Sequence, residues 1–192
     1  MPTRRVTFAL ALATALLATA QTTIAIDVKT EFDRAFDFTR TATWGWNLQG
    51  AGDVIMARGA DDDPIGMKKA AEPVIMSAVA TEMERRGLRV HPEAPDVRVT
   101  YYLVLATGAN AQVVGQFLPS TVAWALPPFA AQTQSLTITD HGSLVLDVSA
   151  DSMVVWRGIA RANIKPGEKR ERREELLREA IRDLLKKFPP KP

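Results

Sequence analysis

The chain alternates between two hydrophobic periods, and the switches between them mark its elements. Ile26, Val28 and Thr30 alternate with Asp27, Lys29 and Glu31, which predicts a strand over 26–32. Phe36 and Phe38 follow, then a second period-2 segment from Thr41 to Leu48 with Trp44 and Trp46 on one side. Gly50 to Asp63 is polar and Gly-containing and reads as a loop. Val74, Ile75, Ala78, Val79 and Met83 recur at helical spacing, which predicts a helix over Pro73 to Arg86 closed by Gly87. A preliminary helical turn is expected over Pro64 to Lys69, with Pro73 breaking continuity between the two.

The second half repeats the logic. Val97, Val99, Tyr101, Leu103 and Leu105 alternate with Arg98, Thr100, Tyr102 and Val104, a strand with two fairly apolar faces and so a central one. A weaker strand is expected over Gln134 to Thr139, then a turn at Asp140-His141-Gly142. Ser143 to Ser149 has Leu144, Leu146 and Val148 on one face, with Asp147 pointing away from it. A turn at Ala150-Asp151-Ser152 leads into Met153 to Ile164, where Val154, Trp156 and Ala160 share one face and Arg157 and Arg161 the other. Pro166-Gly167 ends the sheet. Glu168 to Phe188 is an amphipathic helix with Leu176, Leu177, Ala180, Ile181, Leu184 and Leu185 as its stripe, ended by Pro189 and Pro190. The expected fold is α+β, a two-layer sandwich: a mostly antiparallel sheet with a C-terminal three-stranded meander and two main helices on one face.

The N-terminus has a different pattern. Arg4 and Arg5 precede an apolar run from Phe8 to Ala18, and Ala18-Thr19-Ala20 offers small residues for cleavage after Ala20, or as late as Ala25. This is the layout of a secretory signal peptide, and the run is shorter than a membrane span of about 20 residues. A signal peptide at 1–20 and a single domain over 26–190 are therefore expected, with a periplasmic or secreted location.

The 192 residues hold 24 Lys and Arg against 22 Asp and Glu. Removing the leader takes Arg4 and Arg5 and no acid, which brings the balance to neutrality. That lacks the strong positive charge of a nucleic-acid binder, so no nucleic-acid partner is expected. The absence of cysteine excludes disulfides, thiolate catalysis and lipidation of an N-terminal Cys.

The order of several short runs is similar to the family known as domain of unknown function 4136. They are Asp27-Val28-Lys29-Thr30 with Phe32-Asp33, Phe38 with Thr41 to Trp46, Arg86-Gly87-Leu88 and Asp96-Val97. Gly142 to Leu146, Val155-Trp156-Arg157-Gly158 and Phe188-Pro189-Pro190 complete the set. The resemblance spans nearly all of 26–190. It implies an exported bacterial protein, often a lipoprotein, and carries no activity. With no cysteine to acylate, this chain departs from the lipoprotein members, which points to a free form.

Chemistry is sparse. No charged residue lies between Arg98 and Asp140, and the uncharged insertion at 107–133 holds Phe117, Val122, Trp124, Leu126 and Phe129, broken by Pro119, Pro127 and Pro128. The prolines exclude a membrane-spanning helix. These five residues are the candidate contacts for an envelope protein, a lipid surface or an apolar ligand; the other reading is a loop that completes the core. Asp61, Asp63, Gly66 and Glu72 fall on calcium-loop positions, but Ile65 occupies a ligand position, so Asp63 capping a helical turn is the plainer reading. His91 and His141 are the only imidazoles, and no nucleophile elbow, metalloprotease motif or phosphate loop is present. Neither a cofactor nor a metal is expected, and catalytic residues are not assigned. Lys165, Lys169, Arg170, Arg172 and Arg173 form a basic patch interleaved with Glu168, Glu171, Glu174 and Glu175, the pattern of a self-paired helix face. Trp44, Trp46 and Trp156 suit core packing or a sugar-stacking platform. The sequence favours a non-enzymatic binding module of the cell envelope. The alternatives are a periplasmic hydrolase using carboxylates and a carrier of a small apolar ligand.

Overall fold

The structure is a computed structural model, and it describes residues 24–57, 63–106, 142–151, 153–164 and 168–190. Among them seven strands form one mixed sheet. They are β1 (Ile26–Phe32), β2 (Thr43–Trp46), β3 (Gly52–Ala57), β4 (Arg89–Val90), β5 (Val97–Ala106), β6 (Ser143–Ala150) and β7 (Met153–Ala162). The helices are α1 (Pro64–Arg85) and α2 (Arg170–Leu185), with one 3-10 turn at Phe38–Arg40. The sheet runs β1-β7-β6-β5-β2-β4, and β3 pairs with β5 beyond β2. Pairs β1–β7, β7–β6 and β6–β5 are antiparallel; β6 and β7 are the last two strands of the expected meander, and β6 pairs on its other side with β5. The leader, the 107–133 insertion and the strand expected at Gln134 to Thr139 lie outside the described residues.

Three expectations are corrected. The stretch read as a loop over Gly50 to Asp63 contains β3. It runs parallel to β5 from Gly52 opposite Tyr101 to Ala57 opposite Ala106. With β2, opposite Val97 to Val99, it makes one side of β5 in two pieces, interrupted at Asn47 to Ala51. A Cβ at Gly52 would collide with the backbone and ring of Tyr101, so glycine permits the close approach that a sequence pattern reads as a break.

Pro73 does not break the first helix. α1 is continuous from Pro64 to Arg85, with Pro73 inside it and exposed. Ala71, Val74, Ile75, Val79 and Met83 are buried on both sides of the proline, and each fully buried aliphatic is worth roughly 1.5–3 kcal/mol. That burial outweighs the cost of roughly 3 kcal/mol for an interior proline.

Val154 does not share the face of Trp156. A β-bulge follows Val148, so Val148 pairs with Trp156 but Ser149 with Val154. The extra residue, Val155, joins Trp156 in the core, and Val154 takes the opposite face.

Both helices cover one sheet face. Rows Val99–Val148–Trp156 and Leu103–Leu144–Ala160 run across β5, β6 and β7 under Ile75, Val79 and Met83 of α1 and Ile181, Leu184 and Leu185 of α2. A Cβ on Gly158 would meet the Trp156 ring and lie 2.8 Å from Leu184 Cδ2, so this glycine makes room for both. Phe188, just past α2, is 2% exposed and packs edge-on against Trp156 and Phe38, at 5.3 and 6.0 Å between ring centroids. At the C-terminal ends Arg86 donates through Nε to the Leu185 carbonyl and through Nη1 to Glu82 Oε2 at 2.8 Å. The helices thus lie side by side in the same direction, with their N-terminal ends forming one mouth.

Candidate functional site

The second sheet face is built from the residues that alternate with the core. Thr100, Asp147, Arg157 and Glu31 stand in register across β5, β6, β7 and β1. Arg157 Nε and one Nη each donate to a different oxygen of Asp147 at 2.7 Å, a two-pronged ion pair. Asp147 is fully buried and Arg157 is 6% exposed. Burial works against the Arg157 cation, and the Asp147 bonds more than offset it, holding the guanidinium above its usual value. At Glu31 burial pushes the carboxyl up, with Arg157 pulling it down. Four residues along, Arg161 pairs with Asp27 directly across β7 and β1. Burial, helped by the Asp147 charge, pushes the Tyr102 phenol up to about 12.

The other carboxylates singled out by sequence are also engaged. Asp96 accepts from the Ala42 and Thr43 amides at 2.9 and 2.8 Å and from the Thr43 hydroxyl at 2.9 Å. These donors hold its carboxyl below the usual range and tie the start of β2 to the start of β5. Asp63 caps α1 by accepting from the Gly66 amide at 2.9 Å, and Glu72 accepts from the buried Tyr101 hydroxyl at 2.6 Å. Two calcium-loop positions are therefore spent on a cap and a core contact; Asp61 lies outside the described residues. His91 is exposed and accepts the Ala94 amide in its own turn at 3.1 Å. His141 lies outside the described residues. Trp44 and Trp156 are 1% and 0% exposed, which leaves neither face available to a sugar.

Several concavities occur among the described residues. One of about 670 Å³ is walled by a single loop, Phe32 to Thr39, with Pro190. A polar cleft of about 550 Å³ gathers Asn47, Gln49, Arg98, Thr100, Tyr102 and Asp151 at the second face. Its arginine is occupied by the Trp46, Pro92 and Glu93 carbonyls.

A third, of about 290 Å³, opens at the helix mouth. Met67, Ala70 and Ala71 from α1, Leu103 from β5, Ile164 beyond β7 and Leu177 from α2 make an apolar floor. Asp63, Arg170, Arg173 and Glu174 form the rim. Glu174 is held by two arginines, Arg170 at 2.9 Å and Arg178 at 3.2 Å, and their bonds keep its carboxyl below the usual range. Arg173 has no ion-pair partner among the described residues. An apolar floor with a few polar groups at its edge is the general form of a small-molecule site. The basic run on α2 is otherwise self-paired, as its interleaved charges predict: Arg172 meets Glu175, Arg182 meets Glu179, and Lys186 meets Asp183.

None of the five sequence-predicted contacts, Phe117, Val122, Trp124, Leu126 and Phe129, lies within the described residues. The groove was not legible in the sequence: Leu103 and Leu177 read as a strand face and a helix stripe, and Met67, Ala70, Ala71 and Ile164 fall outside the expected stripes. The one signal available was Arg173, a cation one turn before Leu177 on the same helix.

The molecule is thus an α+β two-layer protein with a mixed sheet and a groove at its helix mouth. Residues 28–190 match the family described as domain of unknown function DUF4136, and the chain belongs to that family. A DUF4136 family protein from Bacteroides thetaiotaomicron shares the fold at 15% identity and a TM-score of 0.50, over 85% of this chain and 96% of that one. A PDZ domain protein from Parabacteroides distasonis is similar at 10% identity and a TM-score of 0.53, over 88% of this chain and 37% of that one. At these identities the likeness concerns the fold alone. No curated protein matches the chain. Among the described residues no helix is long and apolar enough to cross a membrane.

Proposed function

We propose that this chain is an exported, non-enzymatic binding module of the bacterial cell envelope. The observation that carries the reading is the helix-mouth groove, where four separate elements converge on an apolar floor edged by charge. The leader pattern of Arg4, Arg5 and Phe8 to Ala18 supports export. The hydrolase alternative draws no support from Asp147 or Asp96, since both carboxylates are consumed by fixed partners. The uncharged stretch with Phe117, Val122, Trp124, Leu126 and Phe129 is the proposed contact for an envelope protein or a lipid surface.

Export is tested by expressing the full chain in a Gram-negative host and sequencing the N-terminus of the periplasmic protein. A start at Gln21 or Ile26 is expected; an intact leader on cytoplasmic protein overturns it. Binding is tested by native mass spectrometry of the same material, expecting an added small-molecule mass that an Ala70→Trp variant loses. Protein that carries no adduct, and takes none from added amphiphiles, overturns the binding role. A photo-crosslinker at position 124 is expected to give a discrete adduct in intact cells, and self-crosslinks alone remove that contact surface.

A further inference from the structure

The groove at the helix mouth has an asymmetry that narrows its ligand. Met67, Ala71, Leu103 and Leu177 supply an apolar floor with no charged group in it. The two rim acids are both engaged: Asp63 on the Gly66 amide that starts α1, and Glu174 between Arg170 and Arg178. Arg173 is exposed and has no ion-pair partner among the described residues. With Arg178 counted beside Glu174, three arginines stand against the two carboxylates, and the N-terminal end of each helix adds positive partial charge, so the entrance is net positive at the edge of the apolar surface. A ligand complementary to both parts carries an alkyl chain and an anionic end.

Size narrows it further. At about 290 Å³ the groove lies just below the usual range of ligand sites, roughly 300 to 1,000 Å³. That suits one alkyl chain and not a two-chain lipid. A planar carboxylate also matches the fork of a guanidinium. We propose that the groove binds a free fatty acid, with its chain on the Leu103–Leu177 floor and its carboxylate at Arg173. This rests on the binding reading above and adds the ligand class to it.

The test is calorimetric titration of the purified mature protein with sodium dodecanoate, and with dodecanol as the uncharged control. Dodecanoate is expected to bind one to one, about tenfold or more tighter than dodecanol. Arg173→Gln is expected to weaken dodecanoate about five- to tenfold and leave dodecanol unchanged. Ala70→Trp, at an exposed position on the groove wall, is expected to abolish both while the circular dichroism spectrum stays native. Equal affinity for acid and alcohol, or no effect of Arg173→Gln, overturns the fatty-acid assignment and leaves an apolar binding groove standing. Binding that survives Ala70→Trp places the ligand elsewhere and overturns the groove. Failure of both probes on folded wild-type protein overturns the groove and the binding reading together.

Discussion

The two faces of the sheet are buried by opposite chemistry. Toward the helices the rows are apolar, Val99, Val148 and Trp156 in one and Leu103, Leu144 and Ala160 in another, with the Tyr101 hydroxyl between them satisfied by Glu72. There the requirement is shape, met by Gly158 giving way to Trp156 and Leu184. On the other face Val145 and Ile159 are buried beside a fully buried Asp147 and its arginine. There the requirement is that each charge finds its partner at the right register, because an uncompensated ion in the interior costs several kcal/mol. Both faces are carried by one run, Val155-Trp156-Arg157-Gly158. Trp156 points to the helices, Arg157 points to Asp147, and Gly158 clears the space between ring and helix. A packing face tolerates small errors by degrees, whereas a paired face fails when one member is removed.

The largest effect should come from breaking the pair. Asp147→Ala deprives the buried Arg157 of its two-pronged carboxylate and is expected to cost about 3–5 kcal/mol in urea unfolding. The double variant Asp147→Leu, Arg157→Met should recover most of that loss. If the double variant is as damaged as the single one, charge pairing is not what that face requires.

Gly158→Ala probes the other face. Its new Cβ would press on Trp156 and Leu184, and a loss of about 1–3 kcal/mol is expected from the same unfolding curve. A neutral result would mean that the helix face has slack. Next in size is a titration effect that joins the faces, since the adjacent Tyr101 and Tyr102 point to opposite sides. The chain has only these two tyrosines. Burial raises both phenols, Tyr101 further through its bond to Glu72 and Tyr102 to about 12. The folded protein should therefore show no tyrosinate absorbance step near pH 10, and the urea-unfolded chain should show one with the amplitude of two tyrosines. The shifts are upward, so this contribution to stability is complete below about pH 10 and is lost as the pH climbs through 12. The smallest effect is expected at neither face: Arg172→Gln breaks the pair with Glu175 on the exposed side of α2 and should change stability by under about 0.5 kcal/mol.

Much of the helix face was legible in the sequence. Alternation in 97–105 and 143–149 is a local property, because a strand must turn successive side chains to opposite sides. The stripe from Leu176 to Leu185 likewise follows from helical geometry alone. What escaped sequence reasoning involves partners distant along the chain. β3 has Gly52 and Asp53 where a pattern wants apolar residues, and its strand character comes from pairing with Tyr101 to Ala106 some fifty residues away. The bulge at Val155 depends on how β7 is read against β6. Pro73 marks a break that burial on both sides of it overrides. Asp147 was placed on the right face by alternation, but its neighbour Arg157 is set by the hairpin register. The groove was illegible for a similar reason: Met67, Leu103, Ile164 and Leu177 meet only once both helices lie over the sheet.

The sequence alone determined the class of fold, the two-layer burial of one-faced elements, the leader pattern at the N-terminus and the family resemblance at named runs. Each is a matter of residue order and period, which the chain carries before it folds. The tertiary structure alone decided which strands flank β5, which charges share the second face, and where apolar surface stays open beside an arginine without a carboxylate partner. Those outcomes depend on distances between residues far apart in the chain, and such distances exist only when the backbone hydrogen bonds and the core have formed.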